Sequence, residues 1–156
     1  MTDVKPQAET QLVTITIDGV EHQVKKGEML IKAAQDNGTY IPRFCWHPRM
    51  NPVGMCRMCL VQIETPRGPA LITACTNPVA DGMVVENNTE DLNAERQMLT
   101  QMLFVEGNHV CPGCEKSGAC QLQAVAYYTN MLTPHFTHFF PRRALDASHP
   151  DTVIDF

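Results

Sequence analysis

The chain has 156 residues, of which 44 % are hydrophobic and 19 % charged, enough for one domain of ordinary size and a smaller appendage. Seventeen acidic against 12 basic residues give a formal charge of −5, and no Lys/Arg block interrupts it, which argues against nucleic acid as a partner. No run approaches the ~18 apolar residues of a membrane span, and the start MTDVKPQAET lacks the basic-then-apolar layout of a secretory signal, so the expected location is cytoplasmic, including the inner face of a membrane complex if the chain docks to one.

Residues 1–11 are polar and aperiodic and are expected to form a loose tail. From residue 12, Leu12, Thr14, Thr16 and Asp18 alternate with Val13, Ile15 and Ile17. Asp18-Gly19 then turns the chain into His22-Gln23-Val24, which predicts a β-hairpin. Leu30, Ile31, Ala33 and Ala34 fall at helical spacing within 28–37, and Asn37-Gly38 is a helix stop. Between Ile41 and Met58, prolines at 42, 48 and 52, glycine at 54 and two cysteines preclude a regular element, so the chain there must be a loop wrapped around something. Residues 60–64 and 70–74 read as a second hairpin around Pro66-Arg67-Gly68-Pro69, and 83–86 as a further strand.

About five short strands and one helix resemble a β-grasp arrangement over 12–88. From Glu90 to Glu106, Leu92, Met98, Leu99, Met102, Leu103 and Val105 follow a helical pattern with Thr89 or Asn88 as cap. Gly107 ends that helix, a second cysteine-rich loop runs from His109 to Cys120, and 121–131 is a short helical segment. The expected organisation is therefore α+β. A β-grasp domain at 12–88 is followed by a small helical subdomain at 89–131 and an extended tail at 132–156 that packs on a partner.

Seven cysteines in a chain without an export signal point to metal rather than disulfides. Cys45, Cys56, Cys59 and Cys75 are separated by ten, two and fifteen residues. Soft thiolates suit iron–sulfur clusters or zinc, and a pair two residues apart lets one turn of loop present both sulfurs. The small and flexible residues of Gly54-Met55-Cys56-Arg57-Met58-Cys59 allow backbone N–H groups to turn toward bridging sulfides, which a zinc site does not contain. Cys111, Cys114 and Cys120 supply three more thiolates, one short of a set for a [4Fe–4S] cluster, and His109, two positions before Cys111, offers a neutral fourth ligand. A zinc-stabilised interaction module and a free electron carrier are the alternatives.

Pro42-Arg43-Phe44-Cys45, Gly54-x-Cys56-Arg57-x-Cys59-Leu60-Val61, Ala74-Cys75-Thr76 and Asp81-Gly82-Met83-Val84-Val85 together resemble one family domain. It is the amino-terminal [2Fe–2S] domain of the large iron–sulfur subunit of respiratory complex I, of the diaphorase small subunit of NAD-reducing [NiFe]-hydrogenases, of NAD-dependent formate dehydrogenases and of [FeFe]-hydrogenases. In complex I the comparable histidine stands four positions before the first cysteine of the triplet. The string Glu106-Gly107-Asn108-His109-Val110-Cys111-Pro112-Gly113-Cys114 is closer to the hydrogenase diaphorase small subunit.

The resemblance implies a ferredoxin-like [2Fe–2S] domain on Cys45, Cys56, Cys59 and Cys75 and a [4Fe–4S] cluster on His109, Cys111, Cys114 and Cys120. It also implies FMN and NAD on a partner diaphorase subunit and a hydrogenase or other catalytic subunit beyond, with complex I or formate dehydrogenase as the other parent enzymes. The resembled subunits usually continue past a stretch like 140–150 into a further cluster-bearing module; here the chain is either naturally short or a fragment. No Gly-x-Gly-x-x-Gly, P-loop or nucleophile elbow occurs, so no catalytic residue is expected in this chain. Arg57 places a cation inside the Cys-x-x-Cys turn. His22 reads as exposed, His47 as a loop residue, and His135, His138 and His149 as members of an aromatic packing segment.

Overall fold

A computed structural model describes residues 11–107, 109–137 and 145–155, with side chains withheld for 145–147 and 152–155. The tail expected over 1–11 lies almost wholly outside them, as do His138 and the Phe140–Arg143 stretch. The chain divides into two compact units, Met1–Glu95 and Arg96–Phe156.

In the first unit, β1 (Leu12–Ile17) and β2 (Val20–Lys25) form the predicted antiparallel hairpin, with Val13 opposite Val24 and Ile15 opposite His22. Asp18 at φ 48° and Gly19 at φ 79° make the left-handed pair that a two-residue hairpin turn of matching twist requires. Alternation does what period-two patterning dictates: Val13, Ile15 and Ile17 are buried, and Leu12 and Thr14 are exposed. His22, expected at the surface, is half-buried, because it shares the inward side of β2 with Val24.

Strands β3 (Leu60–Ile63), β4 (Ala70–Thr73) and β5 (Met83–Glu86) complete a sheet in the order β2-β1-β5-β3-β4, in which β5 lies parallel to β1 and antiparallel to β3. This is the mixed sheet of a β-grasp. Asp18 fastens it, accepting from the Asn87 and Asn88 N–H groups at 2.6 and 3.3 Å.

Helix α1 (Leu30–Asp36) packs on this sheet, burying Leu30, Ile31, Ala33 and Ala34 in one core with Val61 and Val85. It starts two residues later than the sequence suggests, since Met29 is held in a bridge to Pro78. No side chain caps its start; instead the Leu30 and Ile31 N–H groups donate to Asn77 O and Ala74 O, both at 2.9 Å. Its end is a Schellman motif, Thr39 N–H to Ala34 O at 2.9 Å and Gly38 N–H to Gln35 O at 3.1 Å, with Gly38 at φ 82°.

Helix α2 (Glu90–Glu106) has the predicted extent, and Thr89 Oγ1 accepts from Leu92 N–H at 3.2 Å as its cap. Its buried face differs from the expectation. Leu92, Arg96, Thr100, Gln101 and Val105 are covered, whereas Met98, Met102 and Leu103 are exposed. Two of the polar members find partners that make burial tolerable: Thr100 Oγ1 donates to Arg96 O at 2.7 Å, and Gln101 Oε1 accepts from the His135 backbone N–H at 2.8 Å.

In the second unit α3 (Gln121–Tyr128) stops three residues short of the predicted end. Asn130 adopts φ 56°, and Met131 N–H returns to Ala126 O at 2.8 Å, a second Schellman ending. The tail, expected over 132–156 as extended chain without regular elements of its own, contains a short antiparallel pair, β6 (Leu145–His149) with β7 (Thr152–Asp155). Among the described residues no helix is long and apolar enough to cross a membrane.

Candidate iron–sulfur sites

The loop between α1 and β3 carries Cys45 and Cys56, and the two ends of the β3–β4 hairpin carry Cys59 and Cys75. They associate as two pairs. Cys56 N–H points at Cys45 Sγ, 3.4 Å away, and both residues are half-buried. Cys59 and Cys75 are each 1 % exposed, within the hydrophobic core. Ala74 N–H donates to Cys59 O at 2.9 Å, extending the β3–β4 ladder so that the two cysteines sit side by side.

Electrostatics separates the pairs. Burial works against ionisation of Cys45, but hydrogen bonds from the Cys56 backbone and side chain and from the Met55 and Cys45 amides outweigh it and hold this thiol below its ordinary range. Burial dominates at Cys59 and, with the thiol of Cys75 alongside and the charge of Cys45 nearby, pushes it up to about 12 despite a bond from the Cys75 amide. Since Cys45 bears on Cys59, the two pairs share one locality.

Local backbone shape brings the loop to this place. Gly54 has φ +68°, and a Cβ there would stand 3.0 Å from Thr76 Cγ2, so the loop approaches the segment just past Cys75 through a glycine-sized gap. Arg57 takes φ 57° between Cys56 and Cys59, a left-handed residue that turns successive amides to one side. α1 completes the frame, because the carbonyls its first two N–H groups bind, Ala74 and Asn77, straddle Cys75. His47 lies outside the set; its Nδ1 accepts from Arg49 N–H at 3.2 Å.

Four thiols in two close pairs, with amides aimed at sulfur, fit a [2Fe–2S] unit, each iron of which takes two protein ligands. The Arg43 guanidinium, to which the motif gave no role of its own, lies 4.8 Å from the Trp46 ring centroid and donates to Ile41 O at 3.3 Å. Its signal was present in the string Arg-Phe-Cys-Trp.

In the second unit His109, Cys111, Cys114 and Cys120 line one cavity of about 460 Å³, together with Phe104 and Leu122. Cys111 opens a single 3-10 turn, Cys111–Gly113, in which Pro112 occupies an early position where its missing N–H costs nothing. Cys114 is exposed, and Cys120 stands at the N-cap position of α3. Gln123, unmarked by any motif, holds the loop between them: its Oε1 accepts from Gly118 N–H at 2.9 Å and its Nε2 donates to Ser117 Oγ at 3.2 Å. The His109 ring meets Phe104 edge-on, centroids 5.5 Å apart.

Three thiols and an imidazole around one cavity suit a [4Fe–4S] cube, which asks for one protein ligand per iron. Among the described residues no three His, Cys, Asp or Glu side chains converge as a mononuclear metal site. His149 Nδ1 accepts from Asp151 N–H, and the backbone N–H of His135 donates to Gln101 Oε1.

A β-grasp sheet presenting four loop cysteines, followed by a helical unit with a His-Cys cavity, defines the class of ferredoxin-like iron–sulfur electron-transfer proteins. Comparison with known proteins agrees. Residues 10–90 match the 2Fe-2S iron–sulfur cluster binding domain, and residues 96–135 the NADH-ubiquinone oxidoreductase-G iron–sulfur binding region. The gamma subunit of NAD-reducing hydrogenase HoxS from Cupriavidus necator is 42 % identical over 134 residues, 86 % of this chain and 56 % of that protein. A subunit of the NADH-quinone oxidoreductase of Mycobacterium bovis is 41 % identical over 138 residues, 87 % of this chain and 17 % of that protein. The crystal structure of an NAD⁺-reducing [NiFe]-hydrogenase in the H₂-reduced state contains a chain 43 % identical to this one, superposing with a TM-score of 0.78 over 92 % of this chain and 59 % of that one.

The chain therefore belongs to the [2Fe–2S] cluster-binding family, in the branch that carries a second, [4Fe–4S]-binding region. It spans somewhat over half the length of the hydrogenase relatives and a smaller share of the quinone oxidoreductase relative.

Proposed function

We propose that this chain relays single electrons between a flavin-bearing, NAD(H)-reacting partner and a hydrogenase partner, with Cys45, Cys56, Cys59 and Cys75 holding the [2Fe–2S] cluster and His109, Cys111, Cys114 and Cys120 the [4Fe–4S] cluster. The observation that carries the reading is the division of the ligand types into two sets, two thiol pairs in one unit and a His-Cys cavity in the other. Bound clusters supply one-electron steps, which is what links a two-electron hydride couple to one-electron chemistry.

This chain's residues set the conditions for those steps. The amides of Met55 and Cys56 face sulfur and favour its charged form, and the core around Cys59 and Cys75 keeps water from that side. The imidazole at position 109 contributes no charge when neutral, so the second site carries less negative charge than an all-thiolate one.

The partner assignment is supported by relatives named as parts of NAD-reducing hydrogenase. Those named as NADH-quinone oxidoreductase subunits favour a quinone-linked assembly as the second reading. Anaerobic affinity purification of the tagged chain from its native cells separates the two. The proposed relay requires co-purified flavin, nickel and hydrogen-dependent NAD reduction; flavin with quinone-linked NADH oxidation and no nickel would replace the hydrogenase by the second reading, and absence of flavin would reject both.

A further inference from the structure

Gly107 follows α2 directly. Glycine commonly ends a helix by taking positive φ, and Gly19, Gly27, Gly38, Gly54, Gly68, Gly82 and Gly118 do have positive φ in this chain, but Gly107 does not. Left-handed backbone therefore does not account for glycine at 107; space does. A Cβ built there would lie 2.7 Å from His109 Nε2, closer than such atoms approach, and 3.1 Å from His109 Cδ2, a tight contact.

The tight turn in which His109 N–H donates to Gly107 O at 3.0 Å folds the chain back on itself and lays the imidazole across the bare side of the glycine. Phe104 meets the same ring edge-on at 5.5 Å, and the ring also lines the cavity shared with Cys111, Cys114 and Cys120. The imidazole thus has Phe104 on the ring, Gly107 beneath its far end and the thiols across the cavity. Of these neighbours, only the glycine acts through what it lacks.

We propose that Gly107 is a positioning residue for the His109 imidazole: its missing side chain leaves the volume into which the ring folds, and so sets the orientation in which a ring nitrogen is offered to the [4Fe–4S] cluster. The proposal rests on the reading of His109 as a cluster ligand. A methyl group at 107 is small, but the atom it meets is the far end of a side chain, so the ring and not the backbone is what moves.

The test uses the full chain labelled with ¹⁵N-histidine, reduced and examined by pulsed EPR. Nitrogen hyperfine coupling on the [4Fe–4S] signal is expected in the wild type, and in Gly107→Ala that coupling is lost or altered in size while the [2Fe–2S] signal is unchanged. In a His109→Cys background, where no imidazole needs the space, adding Gly107→Ala is expected to leave iron content unaltered. Unchanged coupling in Gly107→Ala overturns the proposal. So does loss of both EPR signals in that variant, or loss of iron on adding Gly107→Ala to His109→Cys, either of which would assign Gly107 to the fold. Absence of nitrogen coupling in the wild type rejects the ligand reading itself, and the proposal with it.

Discussion

Gly54 combines two demands that no other residue type meets, a positive φ of +68° and a 3.0 Å approach to Thr76. Gly54→Ala places a Cβ in both, at a cost of about 1–2 kcal/mol for the backbone alone. The expected outcome is reduced [2Fe–2S] occupancy, read from its EPR amplitude per chain, with the second signal intact; equal amplitudes would show that the loop closes without help from this glycine.

The thiols of the first site make an opposite pair of expectations in metal-free protein. Cys45, held below its ordinary range and half-buried, should alkylate with iodoacetamide at neutral pH well before Cys59, which is 1 % exposed and pushed up to about 12. The buried Cys59 proton is bound more tightly in the folded state than in the unfolded one, where a thiol titrates near pH ~8.5. Its contribution to stability is therefore complete below about pH 8.5 and is lost as pH rises toward about 12. The melting temperature of metal-free wild type should fall more steeply over that range than that of Cys59→Ala, and parallel slopes would contradict the assignment. Spacing and the residues between them marked these cysteines as candidate ligands, but their two-and-two pairing was not legible. That depends on which loop amide meets which sulfur, and residue spacing does not encode this.

At the scale of elements, α1 links packing to the site. Ile31 is fully buried beside Cys59, Cys75 and Val61 in the core, and its N–H holds Ala74 O next to Cys75. Ile31→Ala should cost about 2–5 kcal/mol by the cavity it leaves, measured by urea unfolding of the metal-free chain. It should also loosen the Cys75 turn, visible as faster loss of the [2Fe–2S] absorption under chelation. A destabilised variant with unchanged cluster lifetime would separate the helix from the site.

The first hairpin, α1 and the extent of α2 could be read from alternation, Asn37-Gly38 and Thr89, since each of these signals is local. The buried face of α2 could not. Arg96, Thr100 and Gln101 take places that hydropathy gives to Met98, Met102 and Leu103; Thr100 meets a carbonyl of its own helix, Arg96 O, and Gln101 a partner distant in sequence, the His135 backbone N–H, and neither contact is visible to hydropathy. The β6–β7 pair escaped notice for a different reason. Its turn, His149-Pro150-Asp151, and its β-branched run, Thr152-Val153-Ile154, are turn and strand signals, but a tail rich in aromatics masked the alternation.

At the scale of the molecule, each unit offers its own ligand set. The first places two thiols on the α1–β3 loop and two at the ends of the β3–β4 hairpin, and the second has an imidazole and three thiols lining one cavity with Phe104 and Leu122. Two independent sites predict two independently removable signals. The most direct measurement is EPR of the anaerobically prepared, dithionite-reduced chain, taken with iron and acid-labile sulfide analysis, in wild type, Cys56→Ser and Cys114→Ser. The account requires iron and sulfide in equal amounts and two signals in the wild type, the [2Fe–2S] one abolished by Cys56→Ser alone and the [4Fe–4S] one abolished or strongly altered by Cys114→Ser alone. A wild-type chain without iron and labile sulfide, or one in which a single substitution removes both signals while the fold persists, would contradict it.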